Sequence, residues 1–415
     1  LCTVDGLKAF HARRVALQLV PDWPLDSADE LRAIAAADTR PVAQVEGFRF
    51  DQRSILATAL GRPSEAFGPR FARFDGATPM PRLPGPPYLF ISRIAEVSGP
   101  IGVMRPGARV VAEYDLPEAA WYFEHNGCER MPFAVLLEAA LQPCGWLASY
   151  VGSALGVDEA LSFRNLDGEG ELLAELAPGA GILRTEVELV DVSSTAGMII
   201  QTFAVQCTLD GLPVYRLRTV FGFFPPAALA AQVGLPTSDE QRALQQRESA
   251  SRIALDALEG PDRARLPHGM LRIIEALDGV WPNAGKAGLG QLRTVKQVDP
   301  GEWFFKAHFF QDPVQPGSLG LEAMVQGLQA WALHSGLDQG MRQPRLQSLA
   351  LGRTHRWRYR GQVVPEHRQV HTTLEITAVE REPDACLIVA DGSLWVDGRR
   401  IYEASGIAVR VLEGD

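Results

Sequence analysis

No run of apolar residues in this chain approaches the eighteen or so that a membrane-spanning helix needs, so no transmembrane segment is read. Cysteine is scarce. Cys2, Cys128, Cys144, Cys207 and Cys386 are scattered, odd in number and without a CxxC pair. That excludes a disulfide framework and a zinc site and fits a reducing, cytoplasmic setting. A basic excess is missing too: 40 Lys and Arg against 50 Asp and Glu leave a net charge of −10, without the positive footprint that nucleic acid requires. Glycine patterns that cradle phosphate are absent, because Gly85 before two prolines and the cluster Gly285, Gly288, Gly290 fit neither a P-loop nor a dinucleotide fingerprint. Neither an initiator methionine nor a basic-then-apolar leader opens the chain, which starts Leu1, Cys2, Thr3 and reads as a piece of a longer polypeptide.

What is present is 415 residues, 46% hydrophobic and 22% charged, enough for two or three domains with their own cores. A long, weak repeat divides them. Trp121, Tyr122, Phe123 are followed by Met131-Pro132, Leu137-Glu138-Ala139 and Gln142; later Trp303, Phe304, Phe305 are followed by Gln315-Pro316, Leu321-Glu322-Ala323 and Gln326. Asp210-Gly211 and Asp397-Gly398 close the two copies in the same manner. Chance matches would not keep their order and nearly their spacing.

Each copy reads as a short, strand-like aromatic element, a loop, one long apolar helix and several alternating segments. Those segments, at 182–190, 198–208, 370–376 and 386–396, carry the two-residue period and the Val, Ile and Thr content of half-buried strands. The Asp-Gly pairs are hairpin signals. One apolar helix with a run of antiparallel strands is an α+β arrangement. Boundaries follow: a lead-in over 1–80 with part of the first copy, the first copy over 81–225, a partly helical linker over 226–266, and the second copy over 267–415.

The stretch from Trp303 to Met324 carries the chemistry. His308 lies among aromatics, and Pro316-Gly317-Ser318 opens a helix whose first N–H groups are free donors for an oxygen gaining negative charge. A histidine base beside such donors suits proton abstraction next to a thioester carbonyl, with a carboxylic acid needed to protonate a departing hydroxyl. This block resembles the active-site motif of the β-hydroxydecanoyl thioester dehydratase family. Residues 83–91 and 396–405 match it in order, and the first copy resembles the leading dehydratase half of polyunsaturated fatty acid synthases. The resemblance covers about residues 50 to 412.

That resemblance implies a double hot-dog fold, two sheets each wrapped round a central helix and packed as a pseudo-dimer. It implies dehydration of a 3-hydroxyacyl chain carried on the phosphopantetheine of an acyl carrier protein, beside neighbouring synthase domains, with no cofactor or metal of the enzyme's own. Isomerisation of the new double bond is compatible with it. The family's histidine falls on His308, its helix-start glycine on Gly317, and its acid on Glu138 in the first copy and Glu322 in the second. Family members take histidine and acid from opposite protomers, which here pairs His308 with Glu138. Counting from the tryptophans puts Asn126 opposite His308, with His125 as its neighbour, so the first copy's histidine function is read as lost.

Bland readings stand beside these. Glu138 could be a helix-end carboxylate reaching solvent. Gln142 and Gln326, four residues after the glutamates, either orient them or only line the helix. Arg356, Arg358 and Arg360 on one face of a strand are a solvated edge or a docking strip for an acidic carrier. Two other functions share the fold: a non-catalytic module that holds acyl chains or scaffolds a synthase, and a thioesterase.

Overall fold

The computed structural model describes residues 2–4, 7–10, 40–76, 80–157, 159–195, 197–249, 252–309 and 312–414. They belong to two compact units, Leu1–Arg40 and Pro41–Asp415. Of the first, a small antiparallel hairpin is described, Cys2–Val4 with Leu7–Phe10.

The second unit is built on one sheet of fourteen strands. From one edge the first repeat supplies Arg93–Ser98, Arg109–Asp115, Ile182–Thr195, Met198–Leu209, Leu212–Phe224 and Ser162–Leu172. There the second repeat takes over with Thr354–Tyr359, Arg399–Leu412, Ala385–Val396, Gln369–Glu382, Gln291–Gln297 and Ala276–Trp281, and the linker adds an edge strand, Ile253–Ala254. The short strand Arg345–Leu346 pairs with Arg399–Leu412 off this path. The two runs mirror each other about the antiparallel junction of Ser162–Leu172 with Thr354–Tyr359, where Gly168 faces Trp357 and Gly170 faces His355. A pseudo-twofold axis therefore passes through this strand pair. Glu169 and Arg356, partners in its register, are joined there by an ion pair.

One long helix packs on each half: Phe133–Tyr150 on the first and Gly317–His334 on the second, the two also touching each other. All 18 residues of the first are buried, which is why it is apolar on every side. Each half is thus a six-stranded antiparallel sheet with a central helix, and the chain adopts the α+β double hot-dog fold. The alternating segments are strands longer than their apolar cores, because the alternation runs on into polar tips. Both Asp-Gly turns have positive φ at both residues, 50° and 79° at Asp210 and Gly211, 47° and 81° at Asp397 and Gly398, as two-residue hairpins with right-handed strand twist demand.

The aromatic element is not a strand. Trp303–Ala307 is a short helix in which every residue but Lys306 is buried, so no two-residue alternation exists to make a strand face. Its counterpart Trp121–Glu124 is likewise one helical turn. The linker holds two short helices, Pro226–Ala230 and Asp239–Gln246, and lies along the second repeat: Leu235 N–H donates to the Arg400 carbonyl at 2.8 Å, and Arg293 donates to the Gln245 carbonyl at 2.6 Å. Among the described residues no helix is long and apolar enough to cross a membrane.

Candidate active site

His308 caps the short aromatic helix, its N–H donating to the Phe304 carbonyl at 2.8 Å. The loop after it returns so that Val314 N–H donates to the His308 carbonyl at 2.8 Å, while His308 Nδ1 lies 3.0 Å from the Val314 carbonyl. A carbonyl can only accept, so Nδ1 carries the proton and Nε2 keeps its lone pair. Asp312 in that loop forms a two-pronged ion pair with Arg164 of the first repeat, at 2.7 and 2.8 Å. Phe310 and Gln311 of the motif lie outside the described residues. From the other repeat, Gly85 N–H grips the Ala307 carbonyl at 2.8 Å. The histidine is therefore held by both halves of the chain. Burial pushes its pKa down to about 3, with Arg164 adding to the effect, so it is a neutral base at working pH.

Glu138 sits in the middle of the first central helix, only 6% exposed. The solvent-reaching reading of this carboxylate is thereby excluded. Its Oε1 accepts from Ser318 Oγ at 2.8 Å, in the first turn of the other repeat's helix, and Gln142 Nε2 stands 3.3 Å from Oε2. Burial raises its pKa to about 7, against the pull of those two hydrogen bonds, so the group holds a proton near neutrality as a general acid must. Gly317 opens that helix after Pro316. The Leu319 and Gly320 amides turn back to the Pro316 carbonyl, and among the described residues the Gly317 amide has no acceptor. A Cβ on Gly317 would lie 2.5 Å from Tyr359 Cε2, so only glycine lets the chain approach there.

His308, Glu138 and Gly317 line one cavity. Its walls continue through apolar or small residues, among them Leu83, Leu141, Gly145, Phe163 and Phe221, as an acyl chain would require. Glu322, fourteen residues after His308 in the same repeat, is not part of that lining. Gln142 does more than line the helix: it clamps the lead-in loop through Tyr88 O at 2.7 Å and Phe90 N–H at 2.7 Å while reaching Glu138. Gln326 makes the same three contacts, with Leu271 O, Ile273 N–H and Glu322.

The other candidates stand elsewhere. Glu322 has its counterpart environment across the axis. Burial raises its pKa to about 7, with hydrogen bonds from Gln326 and the Ala134 amide opposing. Asn126 occupies the histidine's place there, its Nδ2 donating to the Arg130 carbonyl at 2.8 Å and to Ser348 Oγ at 3.1 Å. His125, at the C-cap of its helical turn, packs against Gly269 and His268 and accepts the Met270 N–H at 3.3 Å. It faces away from Asn126's pocket, though through a helical turn and not through strand alternation. The strand that carries the three arginines is not a sheet edge: Thr354–Tyr359 pairs on one side with Ser162–Leu172 and on the other with Arg399–Leu412. Its arginines form ion pairs, Arg356 with Glu169, Arg358 with Asp167 and Glu403, Arg360 with Asp167. Most of these pairs join the two repeats, and Arg356 and Arg358 stay more than half exposed beside their partners. Among the described residues no cluster of three or more His, Cys, Asp or Glu could hold a metal.

Reading motifs one at a time missed Tyr88, whose hydroxyl lies 2.9 Å from Ser318 Oγ, and the partner role of Ser318. A signal existed. Residues 83–91 and 266–274 are a further piece of the repeat, confirmed by matching bonds: Trp121 Nε1 to Pro87 O at 3.3 Å and Trp303 Nε1 to Met270 O at 3.0 Å.

Residues 266–405 match the FabA-like domain family, a span that takes in nearly the whole second repeat. Over 435 aligned positions the chain is 30% identical to one of the polyunsaturated fatty acid synthase subunits of Thraustochytrium sp. (strain ATCC 26185 / S-3), covering 98% of this chain and 28% of that protein. The chain thus spans little more than a quarter of that relative. Among solved structures it is similar to the dehydratase domain from the CurF module of the curacin polyketide synthase, at 14% identity, TM-score 0.43, covering 77% of this chain and 98% of the other. It is similar also to the pyran synthase domain from module nine of the sorangicin pathway, at 13% identity, TM-score 0.42, covering 77% and 98%.

Proposed function

We propose that this chain dehydrates 3-hydroxyacyl thioesters presented on a carrier protein, within a fatty acid or polyketide synthase. The observation that carries the reading is the meeting, in one apolar cavity, of a buried histidine with Nε2 free and a buried carboxyl from the other repeat that keeps its proton near pH 7. His308 Nε2 takes the C2 proton, the C3–O bond breaks as Glu138 gives its proton to the hydroxyl, and a C2–C3 double bond and water result. The Gly317 amide, at the positive end of its helix, holds the thioester oxygen while negative charge gathers on it. The imidazolium and carboxylate left behind are together neutral, so one proton returned from histidine to glutamate resets the site. The phosphopantetheine arm belongs to the substrate, and the carrier and neighbouring synthase domains are the partners this reading requires.

Incubation with a 3-hydroxyacyl pantetheine thioester tests it. The expected result is growth of enoyl absorbance without release of thiol. Thiol release without enoyl product would make the chain a thioesterase, and neither change would make it a non-catalytic acyl-binding module. Following the product's double bond from position 2 to position 3 reads out isomerisation.

A further inference from the structure

Glu138 is not merely buried; it ends a chain of hydroxyls that crosses between the repeats. Tyr88 OH, from the first repeat's lead-in loop, lies 2.9 Å from Ser318 Oγ in the second repeat's helix, and Ser318 Oγ lies 2.8 Å from Glu138 Oε1. Tyr88 and Ser318 are 0% and 1% exposed. Resting on the dehydratase reading above, we propose that Tyr88 and Ser318 are positioning residues that hold Glu138 and decide which of its oxygens delivers the proton.

The polarity of the chain is set by its members. Ser318 has one proton and gives it to Glu138, so toward Tyr88 it can only accept, and the Tyr88 phenol, its pKa raised well above the ordinary value by burial, keeps the proton to donate. Ser318, with its lone pair engaged, sends its own proton to Glu138 Oε1. An oxygen that already accepts a short bond is the carbonyl oxygen of the neutral acid, so the transferable proton resides on Oε2, where Gln142 stands at the longer 3.3 Å. Because Tyr88 ends the chain inside the protein, the relay has no exit to water and cannot feed protons in; it holds and orients. The other pseudo-symmetric site supports this reading. There Leu271 stands for Tyr88 and Ala134 for Ser318, and the same site has Asn126 for the histidine. Hydroxyls and histidine occur together in one site and are missing together in the other.

The test uses Ser318→Ala, Tyr88→Phe, Ser318→Cys and the double variant Tyr88→Phe/Ser318→Ala in the full chain. It reads thermal stability, the pH profile of dehydration, and the titration of the Glu138 carboxyl by ¹³C NMR in a Glu322→Gln background. Ser318→Ala should lower kcat ~10-fold with KM little changed. It should also move the alkaline limb and the Glu138 titration upward, since the lost bond favoured the charged form. Ser318→Cys, a weak donor of similar size, should fall between Ser318→Ala and the parent. Tyr88→Phe should cost ~3-fold, and the double variant should be no slower than Ser318→Ala alone, the mark of one chain. A rate loss with an unmoved limb and unmoved titration, or losses that multiply, would overturn the relay. Should the chain dehydrate nothing at all, the carboxyl titration still decides the relay, and the two failures stay separate.

Discussion

The two pseudo-symmetric sites of this chain are built on the same frame and differ where chemistry would happen. Both keep the central glutamate, the glutamine four residues on, that glutamine's clamp on the lead-in loop, and a buried side-chain N–H bonded to a loop carbonyl. The last is the most instructive. His308 gives Nδ1–H to the Val314 carbonyl; Asn126 gives Nδ2–H to the Arg130 carbonyl, the equivalent oxygen in a loop two residues shorter. Asparagine thus reproduces the structural half of the histidine and lacks a ring nitrogen lone pair that could accept a proton. Gly317 is matched by Phe133, a buried side chain whose ring meets His355 edge-on at 5.0 Å, so the helix start that is bare in one site carries an aromatic ring in the other. Gly145 is matched by Gln329. The shared bonds of the frame tie each central helix to its lead-in loop, a duty independent of turnover.

Turning one site into the other is the sharpest way to break the comparison. His308→Asn should keep the bond to Val314 and a near-native melting temperature, yet lose turnover by 100-fold or more, on the order expected for a general base. A variant that retained over roughly a tenth of the rate would remove His308 from the mechanism. His125→Ala, at a side chain that is outside the lining of the His308 cavity and packs on Gly269 and His268, should change little. Next in size is the choice of glutamate. Glu138→Gln keeps shape and polarity but carries no transferable proton, so kcat should drop ~100-fold with substrate binding largely retained, whereas Glu322→Gln should cost no more than ~3-fold. Reversed magnitudes in steady-state kinetics would mean that His308 works with the glutamate of its own repeat.

Much of this frame was legible in the residues because it is periodic or punctuated. Two-residue alternation located the strands, Asp-Gly located both hairpins, and the spacing from Trp to Glu aligned the copies closely enough to put Asn126 opposite His308. The aromatic turn was misread because a fully buried five-residue helix and a buried strand look alike without alternation. The arginine strand was legible as a strand but not as the junction of the repeats, because the strand that meets it there lies some 190 residues away. The hydroxyl chain was invisible for the same reason: Tyr88 and Ser318 are 230 residues apart and neither resembles a catalytic type in isolation.

The two buried titrations give a sign that separates this site from an exposed one. The proposed dehydration needs His308 neutral, which holds above about 3, and Glu138 protonated, which holds below about 7. The kcat/KM of the parent chain should therefore stay level across the acidic range and fall tenfold per unit as pH rises past about 7, as the acid loses its proton. In Glu138→Gln the residual rate should show no such fall, whereas Glu322→Gln should leave it in place. A profile that instead rises through neutrality would report a histidine titrating near its ordinary value and a glutamate already ionised, contrary to both burial effects.

The smallest effect probes the space that Gly145 leaves open. A Cβ there would stand 3.0 Å from Leu83 Cδ2 and 3.1 Å from Phe163 Cε1, tight enough that the cavity wall must yield by a few tenths of an ångström. Alanine in a helix interior is favoured over glycine by roughly 1 kcal/mol, and that gain offsets the crowding, so Gly145→Ala should leave stability nearly unchanged. What it should change is the accepted acyl chain. The residues beside Gly145 line the apolar part of the cavity, and lost width costs a long chain contacts that a short chain never makes. Competition between a short and a long 3-hydroxyacyl thioester should shift a few-fold, on the order of one methylene's worth, toward the short one. An unchanged ratio would mean that the chain does not run past Gly145. Because Gln329 already fills the equivalent place on the second helix, Gln329→Gly should leave the ratio where it is in the parent, and only the site with the histidine should respond to width.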